Sequence, residues 1–221
     1  MTELIASAAA AYAAQHTSPL GDIVGQIAAR TRKGQPSAQM MSGLAETRLL
    51  EALIIVGGAR RVLEIGTFTG VGAVSMAAAM APGGRLTTLE VNPETAATAR
   101  GNIDDSGYAD RIELIVGDAL QTIARLDGPF DLVYIDAWKN DYPAYYDRVL
   151  PKLAQRGVIV ADNMLQSGRA FDGEADDDSA RGVRAFAQQV TDDTRVHNVL
   201  LTIGDGVMVI WRHGTDHADS S

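Results

Sequence analysis

The chain has 221 residues, 46% of them hydrophobic and 21% charged, the proportions of an ordinary folded domain. Its net charge of −9, with Lys and Arg scattered along it, offers no basic face to neutralise a row of phosphates, which excludes nucleic acid as an expected partner. With no cysteine, disulfides, thiolate catalysis and Cys-based zinc sites are excluded together.

The amino-terminal stretch LIASAAAAYAA carries Glu3 and lacks a basic flank, and it is too short for the roughly 20 apolar residues of a bilayer span. It reads as an Ala-rich helix of a cytoplasmic protein without a membrane partner. Three helices are expected here, over 2–15, 20–31 and 42–57, the last ended by Gly57-Gly58. From residue 61 short β-rich runs alternate with helical patterns. The runs are RVLEIG, RLTTLE, RIELIVG, FDLVYID, GVIVAD, VHNVLLTI and GVMVIWR, and the intervening helices are expected over 71–81, 93–106, 119–126, 141–153 and 177–190. The last two runs are separated by GDG at 204–206, which predicts an antiparallel hairpin at one side of an otherwise parallel sheet. The fold class is therefore α/β: seven strands with helices on both faces and extra amino-terminal helices. One domain is expected over 1–221, made of helices within 1–58, a core over 61–212 and a polar, frayed tail over 213–221.

In an open parallel sheet, ligands bind outside the carboxyl ends of the strands. The turn after the first strand, LEIGTFTGVG, has Gly66 and Gly70 to let backbone approach a ligand closely. It has Phe68 where a dinucleotide fingerprint needs glycine, and an acid, Glu64, that would repel phosphate and attract a cation. The second strand ends in Glu90, suited to a ribose diol, and the third is followed by GDA, placing Asp118 and Ala119 where an exocyclic amine could donate to the carboxylate. Taken singly, Glu64 or Asp118 could cap a helix and Glu90 could be an exposed acid. Their order at successive strand ends points instead to a ligand with a positive centre, a ribose and an adenine, which is S-adenosylmethionine.

The motifs VLEIGTFTG, LTTLE, GDA, YIDAWKNDY and VIVADN, in this order, resemble those of the cation-dependent O-methyltransferases that include catechol and caffeoyl-CoA O-methyltransferases. The resemblance implies a class I, Rossmann-like methyltransferase fold, a divalent metal, methyl transfer to one hydroxyl of a small aromatic vicinal diol, and a homodimer. SAQMMSGLAE is similar to the family's entry motif, which would put Met40 and Ser42 beside the methionine part of the cofactor. Asp136 ends the fourth run, and Asp162 and Asn163 end the fifth. Two carboxylates and an amide oxygen suit a hard ion such as Mg²⁺, with Ca²⁺ or Mn²⁺ as alternatives, and Asp136 also borders the cofactor. Lys139, three residues beyond Asp136, is placed to take the acceptor's proton. Trp138 is expected to wall the cleft, and Gln166 stands where many relatives place an aromatic residue against the substrate ring. The acidic segment FDGEADDD, 171–178, reads as a solvated connector. The rival readings are a methyltransferase of another acceptor class and a non-catalytic cofactor-binding module. Against the first, IDAWKN lacks the Asn or Asp followed by two prolines expected for amino-group methylation. Against the second, Asp136, Lys139, Asp162 and Asn163 are all present.

Overall fold

A computed structural model describes residues 7–172 and 174–214. Three helices come first, α1 (Ser7–Gln15), α2 (Asp22–Gly34) and α3 (Leu44–Gly57). Then β1 (Arg61–Ile65), α4 (Val71–Ala79), β2 (Arg85–Glu90), α5 (Pro93–Asp104), β3 (Ile112–Val116), α6 (Ala119–Arg125) and β4 (Phe130–Ile135) alternate. The chain closes through α7 (Tyr142–Val149), β5 (Leu153–Ala161), α8 (Asp178–Asp192), β6 (Val196–Leu201) and β7 (Val207–Arg212). One seven-stranded sheet results, in the order β3-β2-β1-β4-β5-β7-β6. The first five strands are parallel to their neighbours, whereas β7 runs antiparallel to both β5 and β6. This is the mostly parallel α/β sheet with a closing hairpin that the strand rhythm predicts.

Alternation along each strand feeds two cores. Val62, Leu86 and Leu132 point to the face covered by α2 to α5, and Leu63, Leu89 and Val133 to the face covered by α6 to α8. Strand order reverses between β1 and β4, since β1 leads to β2 on one side and pairs with β4 on the other. A crevice at that switch point is where such a sheet binds ligands.

Several boundaries differ from the sequence reading. The helix expected over 141–153 ends at Val149, followed by a 3₁₀ turn at Leu150–Lys152, and β5 starts at Leu153 rather than 157. Pro151 is the reason, because it has no N–H to continue the helix; Leu150 keeps helical backbone, and Pro151 sits in the first turn of the 3₁₀ segment, where a missing N–H is tolerated. Helix α2 runs on to Gly34, and α4 ends at Ala79, with Pro82 close behind. Residues 2–6 of the first expected helix lie outside the described residues, as does the tail from 215 onward. His213 is ordered against β6: its N–H donates to the Arg195 carbonyl at 3.1 Å. Among the described residues no helix is long and apolar enough to cross a membrane.

Candidate active site

A cavity of about 1170 Å³ opens outside the carboxyl ends of β1, β2, β4 and β5. It brings together every residue the sequence singles out except Gly70. Gly70 instead begins α4 in a left-handed conformation (φ 86°) against Ala99 and Ile103 of α5.

On one side lies the glycine turn. A Cβ at Gly66 (φ 103°) would collide with the Asp136 carbonyl oxygen, so this glycine serves the approach of β1's turn to β4. Gly66 also lines the cavity, so this packing role stands beside the expected close approach of its backbone to a ligand. Glu64 is 1% exposed. Thr67 and Thr88 hydroxyls lie 2.5 Å apart, and Thr88 donates to Glu64 Oε2 at 2.5 Å. Burial pushes the Glu64 carboxyl up to about 8; the Thr88 hydrogen bond opposes this, and the charges of Asp136 and Glu90 add to it.

Between its ordinary value of 4.5 and about 8, then, the folded state holds a proton that the unfolded state has lost, so Glu64 costs stability as pH rises through that window. Glu64→Gln should leave the melting temperature of the ligand-free protein nearly unchanged relative to the parent at pH 4.5. By pH 8.5 the variant should be the more stable, by up to ~5 kcal/mol at about 1.4 kcal/mol per pKa unit. A difference that does not depend on pH, followed by thermal denaturation, would contradict the shift.

Glu90, the last residue of β2, is buried rather than exposed. Its Oε2 accepts the Phe68 N–H and its Oε1 the Asn92 N–H, both at 2.9 Å, so it clamps the β1–α4 turn while lining the cavity. Phe68 takes the left-handed conformation (φ 49°) in that turn. Asp118 does cap α6, accepting the Gln121 N–H at 2.8 Å, and with Ala119 still lines the cavity. The capping and ligand readings of Asp118 are compatible.

On the other side, Ile135 of β4 pairs with Ala161 of β5, and the next residues are Asp136 and Asp162. Parallel register thus sets two carboxylates side by side. Asp136 Oδ1 accepts from Lys139 Nζ at 2.8 Å, and Lys139 also donates to the Tyr142 hydroxyl at 2.7 Å. Tyr142 is fixed in turn by the Ile135 and Asp162 carbonyls, each at 3.1 Å. Asp162 accepts from the Tyr134 hydroxyl and from the Asn163 N–H, each at 2.7 Å. Burial, then the charge of Asp136, raises the Asp162 carboxyl well above the usual carboxylate range.

Crowded, partly desolvated carboxylates with oxygen-only donors fit a hard divalent ion, whose charge would remove the repulsion that shifts Asp162. Among the described residues no three His, Cys, Asp or Glu side chains are placed to share an ion, and the amide oxygen of Asn163 is a further oxygen donor that could join the two carboxylates. Asn163 lines the cavity from a left-handed conformation (φ 56°), and its side chain makes no hydrogen bond among the described residues.

The family model described as O-methyltransferase matches residues 14–213. The chain belongs to the O-methyltransferase family. It is 46% identical over 134 residues to catechol O-methyltransferase of Mycobacterium tuberculosis, a match covering 60% of each chain and so less than two thirds of that relative's length. It is 34% identical over 159 residues to catechol O-methyltransferase of Niastella koreensis, covering 70% of this chain and 72% of that one. Among solved structures, the O-methyltransferase TomG of Streptomyces achromogenes, in complex with SAM, superposes with a TM-score of 0.83 at 29% identity, covering 94% of this chain and 97% of that one.

Two residues of this O-methyltransferase, Tyr134 and Gly182, escape a reading of motifs, and the structure also places the ones that did not. Tyr134 sits mid-strand and reads as core, yet its hydroxyl joins Asp162 to Ser42, whose Oγ lies 3.1 Å away. Met40, 60% exposed, lines the same rim as Ser42. Gln166 is buried in the wall rather than presented flat to a ring: its Nε2 donates to the Asn163 carbonyl at 2.8 Å and its Oε1 accepts from Arg169 at 3.0 Å. Trp138, 62% exposed, also lines the cavity. The described part of the acidic segment is mostly exposed and leads into α8, as a solvated connector should, with Arg181 paired to Asp176 and Asp178, and Asp177 capping α8 at the Ala180 N–H. Helix α8 also passes so close to the lysine turn that a Cβ at Gly182 would strike the Lys139 carbonyl and the Asn140 Cα.

Proposed function

We propose that the protein transfers the methyl group of S-adenosylmethionine to one hydroxyl of a small aromatic vicinal diol, with a divalent cation, Mg²⁺ first among candidates, held by Asp136, Asp162 and Asn163. The observation that carries this reading is the placement of Asp136 and Asp162 at adjacent strand ends, with Lys139 bonded to one of them, in the same cavity as Glu64, Glu90 and Asp118. The catechol O-methyltransferases among its relatives and the SAM-bound neighbour support it.

The reaction breaks one S–CH₃ bond, makes one O–CH₃ bond and releases one proton. Glu64, held protonated at neutral pH by its burial, would be drawn to its ionised form by the positive sulfonium and then offset that charge, Glu90 offers its free lone pairs to ribose hydroxyls, and Asp118 accepts from the adenine amine. A phenol titrates near pH 10, so at neutral pH it must be ionised to attack. A bound divalent ion supplies charge that favours the ionised hydroxyl. Lys139 would take the proton as the neutral amine, after releasing the proton it shares with Asp136 in the ion pair, and Asp136 and Tyr142 fix Nζ between them so that it meets the hydroxyl in one place.

A turnover assay with labelled donor and Mg²⁺ tests the reading directly. A catechol should be methylated with kcat/KM orders of magnitude above that of its monohydroxy analogue, which has one oxygen too few to be held in register. Equal rates on the two would rule out recognition of a diol.

A further inference from the structure

The loop after Asn163 is held in an unusual backbone. Gln166 (φ 48°), Ser167 (φ 54°) and Gly168 (φ 97°) are consecutive left-handed residues, and non-glycine residues pay of order 1 kcal/mol or more for that conformation. Four hydrogen bonds enforce it. Met164 and Leu165 N–H groups donate to the Gly206 and Asp205 carbonyls at 2.9 and 2.7 Å, the Ser167 N–H donates to Asp205 Oδ1 at 2.6 Å, and Gln166 Nε2 reaches back to Asn163. The loop thereby delivers Arg169 to the wall of the cavity beside Gln166.

Among the described residues, Arg169 and Lys139 are the only basic side chains lining that cavity, and Lys139 is bonded to Asp136. Arg169 is less committed. One NH₂ group donates to Gln166 Oε1, and Nε lies 3.4 Å from Asp177 Oδ2, a long, half-exposed pairing with a carboxylate already capping α8. Asp205, the other acid feeling its charge, accepts from the Ser167 N–H and makes no ion pair with it within 4 Å. A planar guanidinium with unspent donors suits a carboxylate in a two-pronged contact.

Resting on the diol reading above, we propose that Arg169 selects acceptors whose ring carries a carboxylate on its substituent. The diol end occupies the Asp136, Asp162 and Lys139 side, and the acid end lies against Arg169, taking the place of Asp177.

The test compares 3,4-dihydroxybenzoate and 3-(3,4-dihydroxyphenyl)propanoate with their methyl esters, which match them in shape without the charge. The parent enzyme should prefer the acid of at least one pair by about tenfold in kcat/KM, within the range for hydrogen bonds to charged groups, mainly through KM. Arg169→Gln should bring that ratio near one, with Arg169→Lys between. Asp177→Asn, which can still cap α8, should raise the ratio by removing the competing charge. Melting temperatures verify that each variant is folded. Equal use of acid and ester by the parent, or a ratio unmoved by Arg169→Gln, would overturn the role of Arg169. Failure to methylate any of the four diols would overturn the diol reading itself.

Discussion

Treatment with EDTA should reduce methyl transfer to background, and Mg²⁺ should restore it. The expectation follows from register: Asp136 and Asp162 are one residue beyond a paired position on neighbouring strands, and their crowding raises Asp162. Lys139 offsets one carboxylate, leaving the other with only the Tyr134 hydroxyl and the Asn163 N–H. Asp136→Ala should lose turnover while donor affinity, measured by calorimetry, stays within several-fold, because Glu64, Glu90 and Asp118 are untouched. Chelated enzyme that still turns over a catechol at the full rate would remove the cation from the mechanism.

Replacing Lys139 by Ala should lower kcat by about 10²- to 10⁴-fold, the span of general-base catalysis. The loss should shrink as pH approaches 10, where the diol ionises without help. Lys139→Arg separates two roles of this side chain. Arginine retains a positive charge to pair with Asp136 but does not give up its proton, so it should be nearly as inactive as Ala. An arginine variant with near-parental turnover would show that Lys139 acts by charge and placement alone.

The architecture was legible because its signals are local. Apolar runs at regular spacing gave the strands, and GDG the hairpin. The acids at strand ends were legible for the same reason, since a parallel sheet gathers the residues that follow each strand. The misread boundary at 150–153 came from treating Pro151 as tolerable inside a helix. Tyr134 was hidden because a tyrosine in a β run fits a core equally well, and only the packed strands show its hydroxyl between Asp162 and Ser42. Arg169 was hidden for a different reason. Its place depends on left-handed backbone at Gln166 and Ser167, which no propensity favours and which hydrogen bonds from the β6–β7 turn impose.

The close pass of α8 at Gly182 bears on how such a protein can change over generations. In sequence Gly182 looks like a helix weakness, since glycine costs a helix interior up to about 1 kcal/mol relative to alanine. The structure makes it the position that sets where the Lys139 turn rests. Alanine there would strengthen the helix locally and displace the base, with no reacting group altered. Selection on turnover would therefore hold a residue more than 40 positions from the lysine to a single identity, while selection for stability alone would drive it away.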